Sequence, residues 1–496
     1  MSTHAPAPLP PALERYEPVI GIEVHCQLRT ASKMFCGCST EYDGAPPNSY
    51  VCPVCLGLPG ALPAINRRAV EHVLATGLAI DATIPARTQW ERKNYFYPDL
   101  PKGYQISQYA IPLASDGRLA IETSDGPFTV RIRRAHLEED TAKLVHGERG
   151  GRRVSLIDFN RSGAPLMEIV TEADIRTAEQ ARRYAEELQL LLRAIGASDA
   201  DMERGQLRVE ANVSLRPRGT EAFGTRVEVK NMNSFRAVER AIGYEIERQA
   251  AALDAGDPLS QETRGWSDDR QATYRMRSKE TSEDYRYFPD PDLPPLTVAP
   301  NWLDGIRSSL PELPAARRSR YVGIGLTSYD AAVIVDDARA TVVFEQLVAG
   351  GAPAKEAANW VTGEYLRLVR KLGEGDVSHA SAEETADQLR TLIDLVAADR
   401  ITRTNAKEAF EIAFTARRAV EEVVEERGFR KISDAGALGR VVDEVLAAHP
   451  AAVDDVRAGK AQAIGFLVGQ VMKATRGQAN AAIVQAAIRS RLGVEG

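Results

Sequence analysis

An α+β fold is predicted for this chain: an antiparallel sheet in the N-terminal part, then a C-terminal part that is all helix. Three observations predict it. Residues 19–28 alternate strictly, with Ile20, Ile22, Val24, Cys26 and Leu28 on one face and Gly21, Glu23, His25 and Gln27 on the other; this is the period of a half-buried strand. Residues 207–216 and 225–231 alternate in the same way across a Pro/Gly-bearing connection, which reads as an antiparallel hairpin. Past the Pro-rich stretch at 289–295, strand periodicity stops and helical periodicity takes over.

Taken in order, the chain opens on a proline-rich stretch with no basic segment before an apolar one. It is expected to be a flexible leader over 1–15 and not a secretion signal. No apolar run approaches the ~18 residues of a membrane span, so the expected location is cytoplasmic. The 496 residues are 44% apolar and 26% charged, an ordinary soluble composition and enough for several domains. A net charge of −7 excludes a polycation that coats nucleic acid, so any such contact needs local basic surface.

On the first strand, Glu23 and His25 point the same way, as two candidate ligands for a cation. Cys26 falls on the apolar face and is expected in the core. Four of the five cysteines follow closely, as Cys36-x-Cys38, thirteen residues, then Cys52-Pro-Val-Cys55. Two close thiol pairs in a reducing compartment suit a closed tetrahedral zinc site with a structural role. Gly37 can supply the backbone angles of the tight first pair.

Residues 92–108 mix aromatics, amides, Lys93 and Lys102. They suit a nucleic-acid surface, the polar wall of a passage, or a packed tyrosine-rich loop. His136-Leu-Glu-Glu-Asp140 follows the alternating run at 130–133. Glu168 lies between apolar neighbours that would bury its strand. The hairpin carries Arg208, Glu210, Arg226, Glu228 and Lys230 on its polar face. Hard cations want carboxylate oxygens, and phosphate wants Arg or Lys, so these strands together make a surface for Mg²⁺ and a nucleotide. There is no P-loop, dinucleotide-binding glycine turn or nucleophile elbow. A binding module whose chemistry sits on a partner is the alternative, but rows of Glu would repel nucleic-acid phosphates.

In the helical part, Ser381-x-x-Glu384 is a capping box ahead of Leu389, Leu392, Ile393 and Val396. Ile464, Leu467, Val468 and Val471 form another apolar stripe, with Gly465-x-x-x-Gly469 expected at a close helix contact. Between 456 and 494 there are six basic residues, Arg457, Lys460, Lys473, Arg476, Arg489 and Arg491, and no acidic one, a local footprint for a phosphate backbone.

These motifs resemble the B-subunit family of tRNA-dependent amidotransferases. The resemblance rests on Val19-Ile-Gly-Ile-Glu-Val-His25, Cys52-Pro-Val-Cys-Leu-Gly-Leu-Pro-Gly60, Arg92-Lys-Asn-Tyr-Phe-Tyr-Pro-Asp99, His136-Leu-Glu-Glu-Asp140, Asn231-Met-Asn-Ser-Phe235, Asp284-Tyr-Arg-Tyr-Phe-Pro289 and Gly465-Phe-Leu-Val-Gly-Gln470. It implies a glutamine synthetase-like cradle domain over 16–298, a helical domain over 299–425 and a tRNA-binding tail over 426–496. It implies two protein partners, the amidase that releases ammonia (the A component of a heterotrimer) and a small third component, C. It implies that ATP and Mg²⁺ serve to phosphorylate the side-chain carboxylate of Glu-tRNA(Gln) or Asp-tRNA(Asn) before ammonia forms the amide. Carried onto this sequence, Glu23, His25, Glu139 and Glu168 surround the metal, and Glu138, Glu210 and Glu228 complete a second site or hold the nucleotide's metal. Arg208, Arg226 and Lys230 would hold the nucleotide. Lys93 and Lys102 would line the ammonia passage, and Lys460, Lys473 and Arg476 would contact tRNA. Position 210 departs from the pattern, carrying Glu where Asp is expected.

Overall fold

The alternating run near the N-terminus becomes strand β1 (Tyr16–Gln27) in the middle of an eight-stranded sheet. The computed structural model describes residues 14–278, 285–373, 381–430, 435–458, 460–475, 478–479 and 481–493; nearly all of the expected leader lies outside them. In chain order the other sheet strands are β2 (Ala114–Thr123), β3 (Gly126–Glu139), β4 (Pro165–Thr171), β5 (Leu207–Pro217), β6 (Val227–Met232), β7 (Glu262–Ser267) and β8 (Ala272–Ser278). Their spatial order is β8-β7-β6-β5-β1-β4-β3-β2. Every neighbouring pair is antiparallel except β6 and β7. The expected hairpin is β5–β6.

One face of this sheet is core. Ile20, Ile22, Val24 and Cys26 are fully buried, as are Ala211 and Val213 of β5. Each large aliphatic side chain taken from water contributes about 1.5–3 kcal/mol. Burial pushes the Cys26 thiol up to about 12, so it is filler and not a nucleophile. Three capped helices cover this face: α1 (Arg67–Ala79), α2 (Ala178–Ala194) and α3 (Phe235–Ala255), started by Asn66, Thr177 and Ser234. Their apolar stripes match the apolar strand face, so the charged strand face stays uncovered by helices. The first compact unit extends through helix α4 (Pro300–Ser309) to Pro314, because Trp302, Leu303, Ile306 and Leu310 pack on the same core.

A smaller sheet of Glu91–Asn94, Tyr104–Ser107 and Phe288–Pro289 lies against β3. The polar, aromatic stretch at 92–108 is therefore a folded wall beside the charged face. Asn94 Nδ2 donates to the carbonyls of Tyr285 and Arg286 at 3.1 and 2.9 Å, which fastens the third strand to it.

The second unit, Ala315–Gly496, is helical in its described regular elements. The capping box at Ser381 and Glu384 is formed, and Leu389, Leu392 and Ile393 are buried behind it. Helices Ala435–Ala448, Pro450–Arg457, Ala461–Ala474 and Ala481–Leu492 share their own core, with Leu467, Val471 and Val484 fully buried. Gly465 and Gly469 correct an expectation. A Cβ on either would meet nothing within 4 Å, so neither stands at a close helix contact; the buried stripe of Ile464, Leu467 and Val471 lies on another face of the helix. No helix among the described residues is long and apolar enough to cross a membrane.

Candidate active site and metal centre

Register turns separate strands into rows, because residues directly opposite in an antiparallel pair share a face. His136 of β3 stands opposite Glu168 of β4, Glu168 opposite His25 of β1, and His25 opposite Arg208 of β5. One row thus crosses four strands. Two residues along, Glu23 is opposite Glu210, and Asn212 is opposite Glu228 of β6.

The first cluster is His25, Glu138 and Glu168, whose ligand atoms lie within 4.8 Å of one another. His25 Nε2 is 3.7 Å from Glu138 Oε1 and 3.6 Å from Glu168 Oε2. His136 Nε2 supports the same carboxylates, at 3.4 Å from Glu168 Oε2 and 4.0 Å from Glu138 Oε2. Ser107 Oγ donates to Glu138 Oε2 at 3.2 Å. Burial opposes the charge on Glu168, but His136, then His25 and Lys93, hold its carboxyl well below the usual range.

The second cluster is Glu23, Glu210 and Glu228, also within 4.8 Å. Three carboxylates so close repel one another. Lys230 Nζ offsets this, at 2.6 Å from Glu210 Oε2 and 3.8 Å from Glu228 Oε1. Asn212 Nδ2 donates to Glu23 Oε1, and Thr263 Oγ1 to Glu228 Oε2, both at 2.7 Å. Carboxylate oxygens suit Mg²⁺ or Mn²⁺ in either cluster.

The positions differ from expectation in several places. Glu23 belongs to the second cluster, not to that of His25. Glu139 is not beside His25 at all. Strand alternation sends His136 and Glu138 to one face of β3, with Asp140 on the same side just past its end, and Glu139 to the other, where it pairs with Lys102 at 2.5 Å and accepts from the Ile106 amide at 3.0 Å. The two lysines therefore separate. Lys102 stays with Glu139, while Lys93 faces the first cluster among Tyr95, Tyr285 and Tyr287. Burial would lower the Lys93 pKa, but Glu138, Tyr287 and Glu168 hold it well above the ordinary value. Arg226 is exposed and precedes β6, so it does not join the polar row of Glu228. Arg208 is held by Asp140. In the second unit, Lys460 pairs with Asp455 at 2.8 Å and Lys473 is exposed; Arg476 lies outside the described residues.

His136, Asp140, Asn212, Ser107 and Thr263 carry no role that the sequence assigned. The alternation of β3 and β5 held the signal for His136, Asp140 and Asn212. Ser107 and Thr263 arrive from elements distant in sequence, and no local pattern marks them.

The four cysteines converge as expected. Cys36, Cys38, Cys52 and Cys55 place their sulfurs within 4.8 Å, with Cys52 and Cys55 at 3.9 Å. Thiolates about 2.3 Å from a tetrahedral zinc stand about 3.8 Å apart, so the spacing fits a metal. Fully buried Lys33 donates to the Tyr50 carbonyl at 2.8 Å and lies 3.6 Å from Cys55 Sγ. The hydrogen bond with Cys36 pulls the Cys55 thiol down to about 4, with Lys33 assisting, and drives Cys36 up.

A cavity of about 100 Å³ separates this centre from the Lys102–Glu139 pair, lined also by Gly57 and Tyr104. Gly57 has φ of +65°, and a Cβ there would stand 2.5 Å from Lys102 Cγ and 3.1 Å from the Lys102 amide nitrogen. Gly57→Ala is expected to lower the stability of the unit by about 1–3 kcal/mol, read as a lower denaturation midpoint at unchanged zinc content.

Comparison with known proteins gives the family. A model of the GatB/GatE catalytic domain matches residues 18–304, and a model of the GatB domain matches residues 342–492. Proteins named as the B subunit of aspartyl/glutamyl-tRNA(Asn/Gln) amidotransferase are similar over nearly the whole length. The one from Roseiflexus sp. (strain RS-1) is 51% identical over 97% of this chain and 99% of its own. The one from Moorella thermoacetica is 49% identical over 96% of this chain and 100% of its own. The one from Picosynechococcus sp. is 46% identical over 97% and 99%. With family models across both units and relatives about half identical from end to end, this chain belongs to the B-subunit family of the aspartyl/glutamyl-tRNA(Asn/Gln) amidotransferases.

Proposed function

We propose that this chain carries out the ATP-dependent amidation of glutamate or aspartate misacylated to tRNA(Gln) or tRNA(Asn). It would work in a heterotrimer with an amidase that supplies ammonia and a small third protein. The observation that carries this reading is the pair of carboxylate clusters on one sheet face, each with cationic groups beside it and no nucleophile among them.

A carboxylate resists attack by ammonia because its leaving group would be an oxide. Transfer of the γ-phosphoryl group of ATP to the side-chain carboxylate gives an acyl phosphate and ADP. Attack by ammonia, with loss of a proton, then expels inorganic phosphate and leaves the amide. Such a transfer needs positioning and charge neutralisation more than a protein nucleophile. Mg²⁺ held by His25, Glu138 and Glu168, and by Glu23, Glu210 and Glu228, would neutralise phosphate charge. Lys230 and Asn212 keep the second cluster assembled, and His136 orients the carboxylates of the first. Lys93 presents a half-buried ammonium to the first cluster. Ammonia would pass by Lys102 and Glu139, whose side chains border the cavity beneath β3. Lys460, Lys473 and Arg476 would meet the tRNA backbone. The cysteine centre would hold zinc in a structural role. A pure tRNA scaffold is disfavoured, because six acidic and imidazole ligands would then face phosphates with no metal ion between.

The test is trapping. The chain with its partner proteins, Mg-ATP, Glu-tRNA and hydroxylamine is expected to yield glutamyl hydroxamate on tRNA only when ATP is present. Intact tRNA binding with no ATP-dependent hydroxamate would return the chain to the scaffold reading.

A further inference from the structure

Asp140 has no role in the proposed chemistry, yet it is one of the most heavily bonded carboxylates on the charged face. It follows the last residue of β3 and lies on the same side as His136 and Glu138. Its side chain is 4% exposed. It accepts from Arg208 Nη1 at 3.1 Å and Nη2 at 3.3 Å, from Gln27 Nε2 at 2.8 Å and from the Thr141 amide at 3.0 Å. Arg161 Nε adds a second cation at 3.7 Å. Burial opposes its charge, but Arg208 and then Arg161 hold the carboxyl far below the usual range.

The two bonds from Arg208 are end-on and bidentate, the geometry that fixes a guanidinium plane as well as its position. They use two of its five N–H donors. The other three have no acceptor among the described residues, and the side chain remains 33% exposed. Arg208 stands opposite His25 in the register and two residues from Glu210 on the same face. After Asp140, the charges that act on it most are Glu210 of one cluster and Glu138 of the other. A rigid guanidinium with spare donors thus sits where the two metal-binding clusters meet.

We infer that Asp140 is a positioning residue that aims Arg208 into an anion seat between the two carboxylate clusters, a seat for the phosphoryl group in transit. Lys93 faces the first cluster and Lys230 is paired within the second, so a phosphoryl group passing between the two would still need a cation on its flank. Arg208 supplies that flank, and its plane suits phosphate oxygens better than a lysine would. Asp140 cannot reach the anion itself, since its oxygens are committed to Arg208, Gln27 and Thr141.

This rests on the proposed phosphoryl transfer, and the experiment separates the two. Hydroxamate formation is measured against ATP concentration in the assembled complex for wild type, Asp140→Asn, Arg208→Lys, Arg208→Gln and the double variant Asp140→Asn/Arg208→Gln. Asp140→Asn is expected to raise the ATP concentration at half-maximal rate about tenfold and to lower the maximal rate further. Arg208→Lys should do the same, since it keeps charge but loses the fork. The double variant should be no worse than Arg208→Gln alone, because Asp140 acts only through Arg208. Arg161→Gln loosens the same loop, where Arg161 donates to the Thr141 and Ala142 carbonyls at 2.9 Å, yet leaves Arg208 paired; it should keep the ATP dependence within about twofold. Multiplying losses in the double variant, or an unchanged ATP profile in Asp140→Asn, overturns the inference. If Asp140→Asn does not fold, Arg208→Lys decides: a wild-type profile there refutes the seat. A wild type that makes no ATP-dependent hydroxamate refutes the phosphoryl-transfer reading instead.

Discussion

Glu168→Gln is expected to lower ATP-dependent hydroxamate formation by about 100- to 1,000-fold, the loss typical when one preorganised electrostatic group is removed from a reacting centre. Glu168 stands between His136 and His25 in the row across β3, β4 and β1, and both imidazoles approach the same oxygen, Oε2. The amide keeps size and shape but loses the charge that a cation requires. It also presents a donor or a neutral oxygen to the two rings, so the cluster reorganises. The apolar neighbours Met167 and Ile169 still pack behind the strand, so the melting temperature should fall by only a few degrees. The check is hydroxamate yield beside a thermal melt and a Mn²⁺-binding isotherm. Unchanged Mn²⁺ binding would take the metal role away from this cluster, and near wild-type turnover would take the catalytic role away.

The second large effect concerns the cysteine centre. Wild-type protein is expected to contain about one equivalent of zinc, and Cys52→Ser/Cys55→Ser to contain none. Loss of the Cys55 thiolate also leaves the fully buried Lys33 ammonium with neutral oxygens alone for partners, among them the carbonyls of Tyr50 at 2.8 Å and Phe159 at 3.4 Å. Uncompensated buried charge costs about 3–5 kcal/mol, which corresponds to a melting temperature about 10 °C lower. Elemental analysis and a melt before and after strong chelation measure it. A metal-free wild type with an unchanged melt would remove the structural role. Cys52-Pro-Val-Cys55 leads straight into Gly57, against which Lys102 packs, so the variant should also loosen the Lys102–Glu139 pair.

Much of the fold was legible because alternation is a local property. Residues 19–28 and 207–216 each carry one apolar and one charged face, and both faces appear where that period puts them. Cys26 as core filler and the convergence of four cysteines followed from the same kind of reading. The misplacement of Glu139 had a local remedy as well: His136 and Glu138 share parity on β3, and Glu139 does not. Gly465 and Gly469 failed for a different reason. A four-residue spacing marks one helix face but does not say which face meets a neighbour.

By itself the sequence determined the α+β order of elements, the charged face of each strand and the types of ligand that face offers. Only tertiary structure decided which ligands meet. Register set His25 against Glu168 and Glu23 against Glu210, dividing one acidic surface into two clusters. It also brought Asp140, at the end of β3, to Arg208 of β5 across two intervening strands. Side-chain period is written in consecutive residues, whereas register depends on how strands far apart in the chain align their apolar faces over a common core.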